Sequence, residues 1–183
     1  MRIEVPAERA HDPYGYATEK LAPEIMSAGG AFAFAVYRHS RLSLREFEGA
    51  RARTAEINGC AICQQFRAAR DLGGMFAASG VRTEGTVADN GPAPDEDFYA
   101  AVADWRGSTL FSAREALAIE FAERFGTDPK SLASDERFWA RMRANFSDAE
   151  IADLANCVAA WVGLGRVAHV LGFDEVCLPL AAE

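Results

Sequence analysis

The chain has 183 residues, half of them hydrophobic, which suits one domain with its own core and argues against a disordered segment. A formal net charge of -8 and a pI near 5.0, with no basic stripe, argue against nucleic acid and anionic membrane surfaces as partners. No run reaches about 18 uninterrupted apolar residues and the opening Met1-Arg2-Ile3-Glu4-Val5-Pro6 lacks a signal-peptide core, so a cytoplasmic protein with thiols reduced at rest is expected.

Residues 1–17 are polar, with Pro6, Pro13 and Gly15, and read as an extended arm ahead of one helical domain over 18–183. Helical periodicity then dominates. A first helix is expected over 19–28, with Pro23 near its start and Gly29-Gly30 at its end. The apolar run 31–38 fits helix or strand by pattern, and its alanine content favours helix. A longer helix follows over 43–57, with Ser43 and Glu46 in capping-box spacing. Another spans 60–72 and stops at Gly73-Gly74. Residues 77–93 hold Gly80, Gly85, Gly91 and Pro92 and read as a loop. Helices over 95–105, 112–125, 134–145 and 147–172 complete the chain, two of them opened by the capping boxes Ser112/Glu115 and Ser147/Glu150. The last carries Ile151, Leu154, Cys157, Val158, Trp161, Val162 and Leu164. A helix apolar over that much of its girth is buried in the fold or between subunits. The fold class is all-α.

Cys60 and Cys63 stand three apart in Asn58-Gly59-Cys60-Ala61-Ile62-Cys63. On a helix that spacing puts both sulfurs on one face, where a disulfide opens and closes with little backbone change. Asn58 and Gly59 break the chain, so Cys60 falls in the first turn of a new helix, where free amides favour a thiolate. Oxidation is expected to join Cys60 to Cys63 and to leave Cys157 and Cys177 free. A structural zinc would need a second ligand pair; Cys157, Cys177, His39 and His169 are scattered, so no metal and no other cofactor is expected. Two inert buried thiols are the alternative.

Leu44, Phe47, Glu48, Arg51 and Ala55 share one stripe of the 43–57 helix. Glu48 there is either a general base for a thiol or the ion-pair partner of Arg51 at i+3. Arg67 lies four residues beyond Cys63. On a continuous helix its fixed charge favours the Cys63 thiolate, and its alternative partner is Asp71 at i+4. Glu56 reads as solvated, His11 lies in the arm, and His39 reaches the thiols only through tertiary folding. His169 reads as a core or interface residue, and the three tryptophans as packing.

Three segments resemble the alkylhydroperoxidase D-like branch of the carboxymuconolactone decarboxylase superfamily. They are Leu44-Arg45-Glu46-Phe47-Glu48 leading to Asn58-Gly59-Cys60-Ala61-Ile62-Cys63, then Trp105-Arg106-Gly107-Ser108 through Phe111-Ser112-Ala113-Arg114-Glu115, and Phe146-Ser147-Asp148-Ala149-Glu150 with the helix after it. The resemblance spans 40–172. It implies a helical bundle, a homo-oligomer, and peroxidase or disulfide-reductase chemistry with a hydroperoxide substrate and a dithiol reductant. It also implies that Cys63 attacks the peroxide, that Cys60 resolves the sulfenic acid, and that Glu48 serves a proton relay. The sequence departs from the family at two histidine positions, which hold Ile62 and Arg67, and its usual Asn-Arg pair is Gly165-Arg166. A lactone decarboxylase is the rival enzyme reading, although members with that chemistry typically lack the C-x-x-C. A helical oligomer without catalysis is the third.

Overall fold

The computed structural model describes residues 1–78 and 84–175, and among them every regular element is helical. The residues from Ala7 on are not extended. They coil into short turns, with α1 at Pro13–Tyr16 capped by the Asp12 carboxylate and a π turn at Ala17–Leu21. Pro13 and Ala17 are buried, so apolar contacts rather than composition decide the local conformation.

Helix α2 runs unbroken over Pro23–His39, through the Gly29-Gly30 pair expected to end it. A Cβ at Gly29 would sit 3.2 Å from the Leu164 side chain. The missing side chain there serves close helix approach, against an intrinsic cost of roughly 1 kcal/mol per interior glycine.

Helix α3, Leu44–Asn58, begins with the Ser43/Glu46 capping box and ends at Gly59, whose φ of 69° is left-handed. It is the central helix, packed between α7 (Ala113–Thr127) and α10 (Asp148–Leu171). Phe47 and Ala50 join a core that includes Phe121, Ala122, Leu154 and Val158, and Ala55 is buried as well. Small residues let α7 come close: a Cβ on Gly49 would stand 3.0 Å from Ile119.

The expected helix 60–72 is two helices. Short α4, Ala61–Gln65, stops at Phe66, whose ψ of 139° is extended, and α5 spans Ala68–Ala78. The Asp71 carboxylate accepts the Arg67 N–H at 2.8 Å and starts α5. That helix passes through Gly73-Gly74, and nothing in the structure explains the two glycines, since a Cβ on either would meet open space. In the expected loop 77–93, residues 79–83 lie outside the described part and Val87–Asp89 forms one 3-10 turn.

Next come α6 at Glu96–Ala101, a 3-10 extension over Val102–Gly107, α7, α8 at Pro129–Ser134, α9 at Glu136–Asn145, and α10. The Ser112/Glu115 and Ser147/Glu150 capping boxes form. Their glutamates have second partners. Arg45 pairs with Glu115 at 2.6 Å, while Arg114 pairs with Glu46 and Glu150 and donates to the Asn145 carbonyl. The two Arg-Glu pairs of the sequence, 45–46 and 114–115, therefore cross-link the starts of α3, α7 and α10.

Helix α10 is long and apolar enough to cross a membrane by length and composition, yet it packs on α2, α3 and α7 as a member of the bundle. Only 33% of its most apolar 18-residue window is buried.

Candidate functional site

Cys60 and Cys63 form a disulfide. Gly59 turns the chain out of α3, so Cys60 becomes the N-cap of α4, and its Sγ accepts the Cys63 N–H at 3.3 Å. Cys60 is fully buried, while Cys63 is half-buried and lines a cavity of about 230 Å³. Apolar walls from Tyr37, Ile62, Phe66, Met75, Trp161 and Leu164 surround it, with Arg51 and Asn58 as its main polar groups. A site of this form, mostly apolar with few polar anchors, suits a small molecule with an apolar body.

Behind Cys63 lies an ion pair in a fully enclosed position. Glu48 has no solvent exposure, and Arg51 clamps both its oxygens, at 2.6 and 3.1 Å. Arg51 also donates to the Cys63 carbonyl and the Phe66 carbonyl, each at 2.6 Å. Glu48 accepts the Tyr99 hydroxyl at 2.5 Å and the Ala68 N–H at 3.4 Å. The pair thus serves carbonyls at the end of α4 and an amide at the start of α5, groups a helix leaves open. Burial lowers the Arg51 pKa, but Glu48 outweighs it and leaves the guanidinium firmly charged. Burial and the Glu48 charge push the Tyr99 phenol up, so it stays a donor.

Arg67 falls elsewhere than expected. The break at Phe66 removes the continuous helix on which it would share a face with Cys63. Its guanidinium pairs with Glu96 at 2.9 and 3.0 Å and lies 3.8 Å from the centroid of the Tyr99 ring, while the Asp71 carboxylate accepts the Arg67 backbone N–H and pairs with the Arg70 guanidinium. The cation that touches Cys63 is Arg51. Glu56 is partly buried and bound to Arg53 at 2.8 Å rather than free in solvent.

The outer side of the dithiol turn is covered by α10. Asn58 donates to the Trp161 carbonyl at 2.8 Å and accepts from Arg166 at 3.1 Å. Gly165 leaves room for this: a Cβ there would fall 2.6 Å from the Asn58 amide nitrogen and 3.8 Å from the Cys63 sulfur. One turn on, His169 contacts Asp174 at 3.0 Å, and the same carboxylate oxygen accepts the Ala61 N–H at 2.9 Å. Burial raises the Asp174 pKa, but the bonds from His169 and Ala61 outweigh it and hold the carboxyl below its usual range.

Cys157 is buried and bound to Asp153 at 3.3 Å. Burial, then the Asp153 charge, push its thiol far up, so it is inert. Cys177 lies outside the described residues. No group of three or more His, Cys, Asp or Glu suited to a metal occurs among the described residues.

The sequence reading passed over Tyr99, Asn58 as a site residue, and Asp174. Tyr99 stands 51 residues from Glu48 and Asp174 stands 113 from Ala61, so no local spacing could have shown them.

The described residues form an all-α fold that carries a disulfide-bonded C-x-x-C. A solved structure from Agrobacterium tumefaciens, of a protein of unknown function provisionally described as the antioxidant defence protein AhpD, shares the fold with a TM-score of 0.63. That chain is 22% identical, and the match covers 91% of this chain and 97% of that one. The uncharacterized protein YnjA of Escherichia coli strain K12 is 40% identical over 58 residues, which is 32% of this chain. The match spans about a third (31%) of the length of that relative. No family model matches.

Proposed function

We propose that this protein is a thiol-dependent hydroperoxide reductase that cycles through the Cys60–Cys63 disulfide. The observation that carries the reading is the pairing of those two sulfurs with unequal access: Cys63 borders the apolar cavity, and Cys60 is enclosed behind it. In the reduced protein the Cys63 thiolate attacks a peroxide oxygen. An S–O bond forms, the O–O bond breaks, and the leaving alkoxide takes a proton to become an alcohol. Cys60 then attacks the Cys63 sulfur and water leaves. A dithiol reductant restores both thiols.

Arg51 anchors the Cys63 backbone and places a fixed positive charge behind the nucleophile, which favours a thiolate. Glu48 holds Arg51 in place and, through Tyr99, lies on a hydrogen-bonded chain that leads away from the thiols. The apolar walls favour an organic hydroperoxide over hydrogen peroxide. A homo-oligomer fits the half-covered α10, on which Val167 and Val170 are exposed together with Ile25 and Phe32 of α2. A reducing compartment such as the cytoplasm suits the cycle.

The test is turnover of cumene hydroperoxide with dithiothreitol. Steady consumption that is lost in Cys63→Ser supports the reading. Consumption no faster than with dithiothreitol alone would sink it and leave a helical oligomer without this chemistry.

A further inference from the structure

We infer that His169, oriented by Asp174, is the proton-exchanging residue of the dithiol and acts when Cys60 closes the disulfide. The inference rests on the redox reading of Cys60 and Cys63, but not on the identity of the oxidant.

Helix α10 presents one stripe to the dithiol turn. Gly165 lies against Asn58 and Cys63, and His169, four residues on, lies against Gly59. A Cβ added to Gly59 would be 3.2 Å from His169 Nε2. A side chain at 59 would strike the ring, and the φ of 69° there independently favours glycine. The ring is therefore seated on the residue that precedes Cys60. Its Nδ1–H donates to Asp174 Oδ2, 3.0 Å away, which fixes the tautomer and leaves Nε2 as the acceptor facing the turn.

Asp174 is itself nearly enclosed, 2% exposed, and ties His169 to the dithiol helix because the same oxygen accepts the Ala61 N–H. Its Oδ1 is buried with no hydrogen-bond partner among the described residues. An enclosed carboxylate oxygen without a partner beside a redox turn is the kind of exception that marks a functional group. The His169 side chain is half exposed, so protons can pass between the enclosed turn and solvent. No residue of α4 carries charge. Around His169, Glu175 is taken by the Met1 ammonium at 3.8 Å, Arg166 by Asn58 and the Gly126 carbonyl, and Glu56 by Arg53. Asp174 is the group left to orient the ring.

The step balances. The Cys60 thiol yields its proton to Nε2 as its sulfur bonds to Cys63. The Cys63–oxygen bond of the sulfenic acid breaks, and the departing hydroxide regains a proton to become water. His169 ends the step as it began.

Dithiodipyridine serves as the probe because it replaces the peroxide and reports each stage by colour. Cys63 attacks it and releases one thiopyridone; Cys60 attacks the mixed disulfide and releases the second. A positioned base is typically worth ~10²–10⁴-fold; with water competing at a half-exposed ring, His169→Gln should slow the second release about tenfold. The first release should keep its rate. Asp174→Asn, which keeps the shape of the site, should show a smaller loss. An unchanged second release in His169→Gln would overturn the inference. So would equal slowing of both releases, which would assign the residue to packing. Loss of peroxide turnover with the two-stage profile intact would sink the peroxide reading and leave this one standing.

Discussion

Helices α3 and α10 invert what their compositions lead one to expect. Helix α3 holds Arg45, Glu46, Glu48, Arg51, Arg53 and Glu56, yet it is the buried centre of the bundle. Helix α10 is apolar enough to pass for a membrane span, yet much of it faces outward. The difference lies in partners. Each of those α3 charges is matched: Arg45 with Glu115, Glu46 with Arg114, Glu48 with Arg51, and Arg53 with Glu123 and Glu56. Buried charge is tolerated where it is paired and hydrogen-bonded, and costs most when one partner is removed. Helix α10 has no such matching surface for its outer side within the described chain. One helix is thus finished inside the monomer, and the other offers an unfinished face.

The largest effect expected from this contrast is at Arg51. Arg51→Met would strand the enclosed Glu48 carboxylate and leave the Cys63 and Phe66 carbonyls without their donor. A loss of about 3–5 kcal/mol is expected, measured by urea denaturation. Adding Glu48→Leu should restore much of it, because the uncompensated charge then disappears. A single variant that costs under about 1 kcal/mol would break the claim that pairing is what lets α3 be buried.

A second seam can be read through pH. Burial pushes the Glu123 carboxyl up, but Arg106 and Trp105, which hydrogen-bond to it, and the charges of Arg53 and Arg106 outweigh it and hold the group at about 2, below the ordinary 4.5. A carboxyl depressed in the folded state adds stability above its ordinary pKa and loses it as pH falls toward the folded value. The Tm advantage of the natural chain over Glu123→Gln should therefore be full above pH 4.5 and shrink toward pH 2. A constant difference across that window would remove Glu123 from the account of how α3 and α7 hold together.

The smallest effect on the fold belongs to the outer face of α10. Val170 is 64% exposed; Val170→Asp should leave monomer stability within about 0.5 kcal/mol. If copies of the chain cover this face, the same change lowers the mass found by light scattering. An unchanged mass would require the oligomer to use another surface, and a monomer in both proteins would remove it.

Local rules carried far in this sequence. Ser43, Ser112 and Ser147, each with glutamate three residues on, marked three helix starts because a capping box is built within four residues. The i, i+3 spacing anticipated the Cys60–Cys63 disulfide for the same reason. The misread points depend on distant contacts. Gly29 looks like a breaker until Leu164 of α10 stands against it. Arg67 looks like a neighbour of Cys63 until the chain extends at Phe66, where Arg51 supplies the bonds that a continuous helix would have made. Asp174 gave no signal at all, since its meaning lies in Ala61 and His169 meeting on one oxygen.

In the proposed cycle Cys63, at the cavity, is the attacking thiol and Cys60, enclosed, is the resolving one. Reduced Cys60→Ser exposed to one equivalent of cumene hydroperoxide in the presence of dimedone, then digested and analysed by mass spectrometry, tests it most directly. Dimedone is expected on Cys63 and not on Cys157, with one equivalent of alcohol released. Dimedone on neither cysteine, or a sulfenic acid that forms at Cys60 in the matching Cys63→Ser protein and not at Cys63, would contradict it.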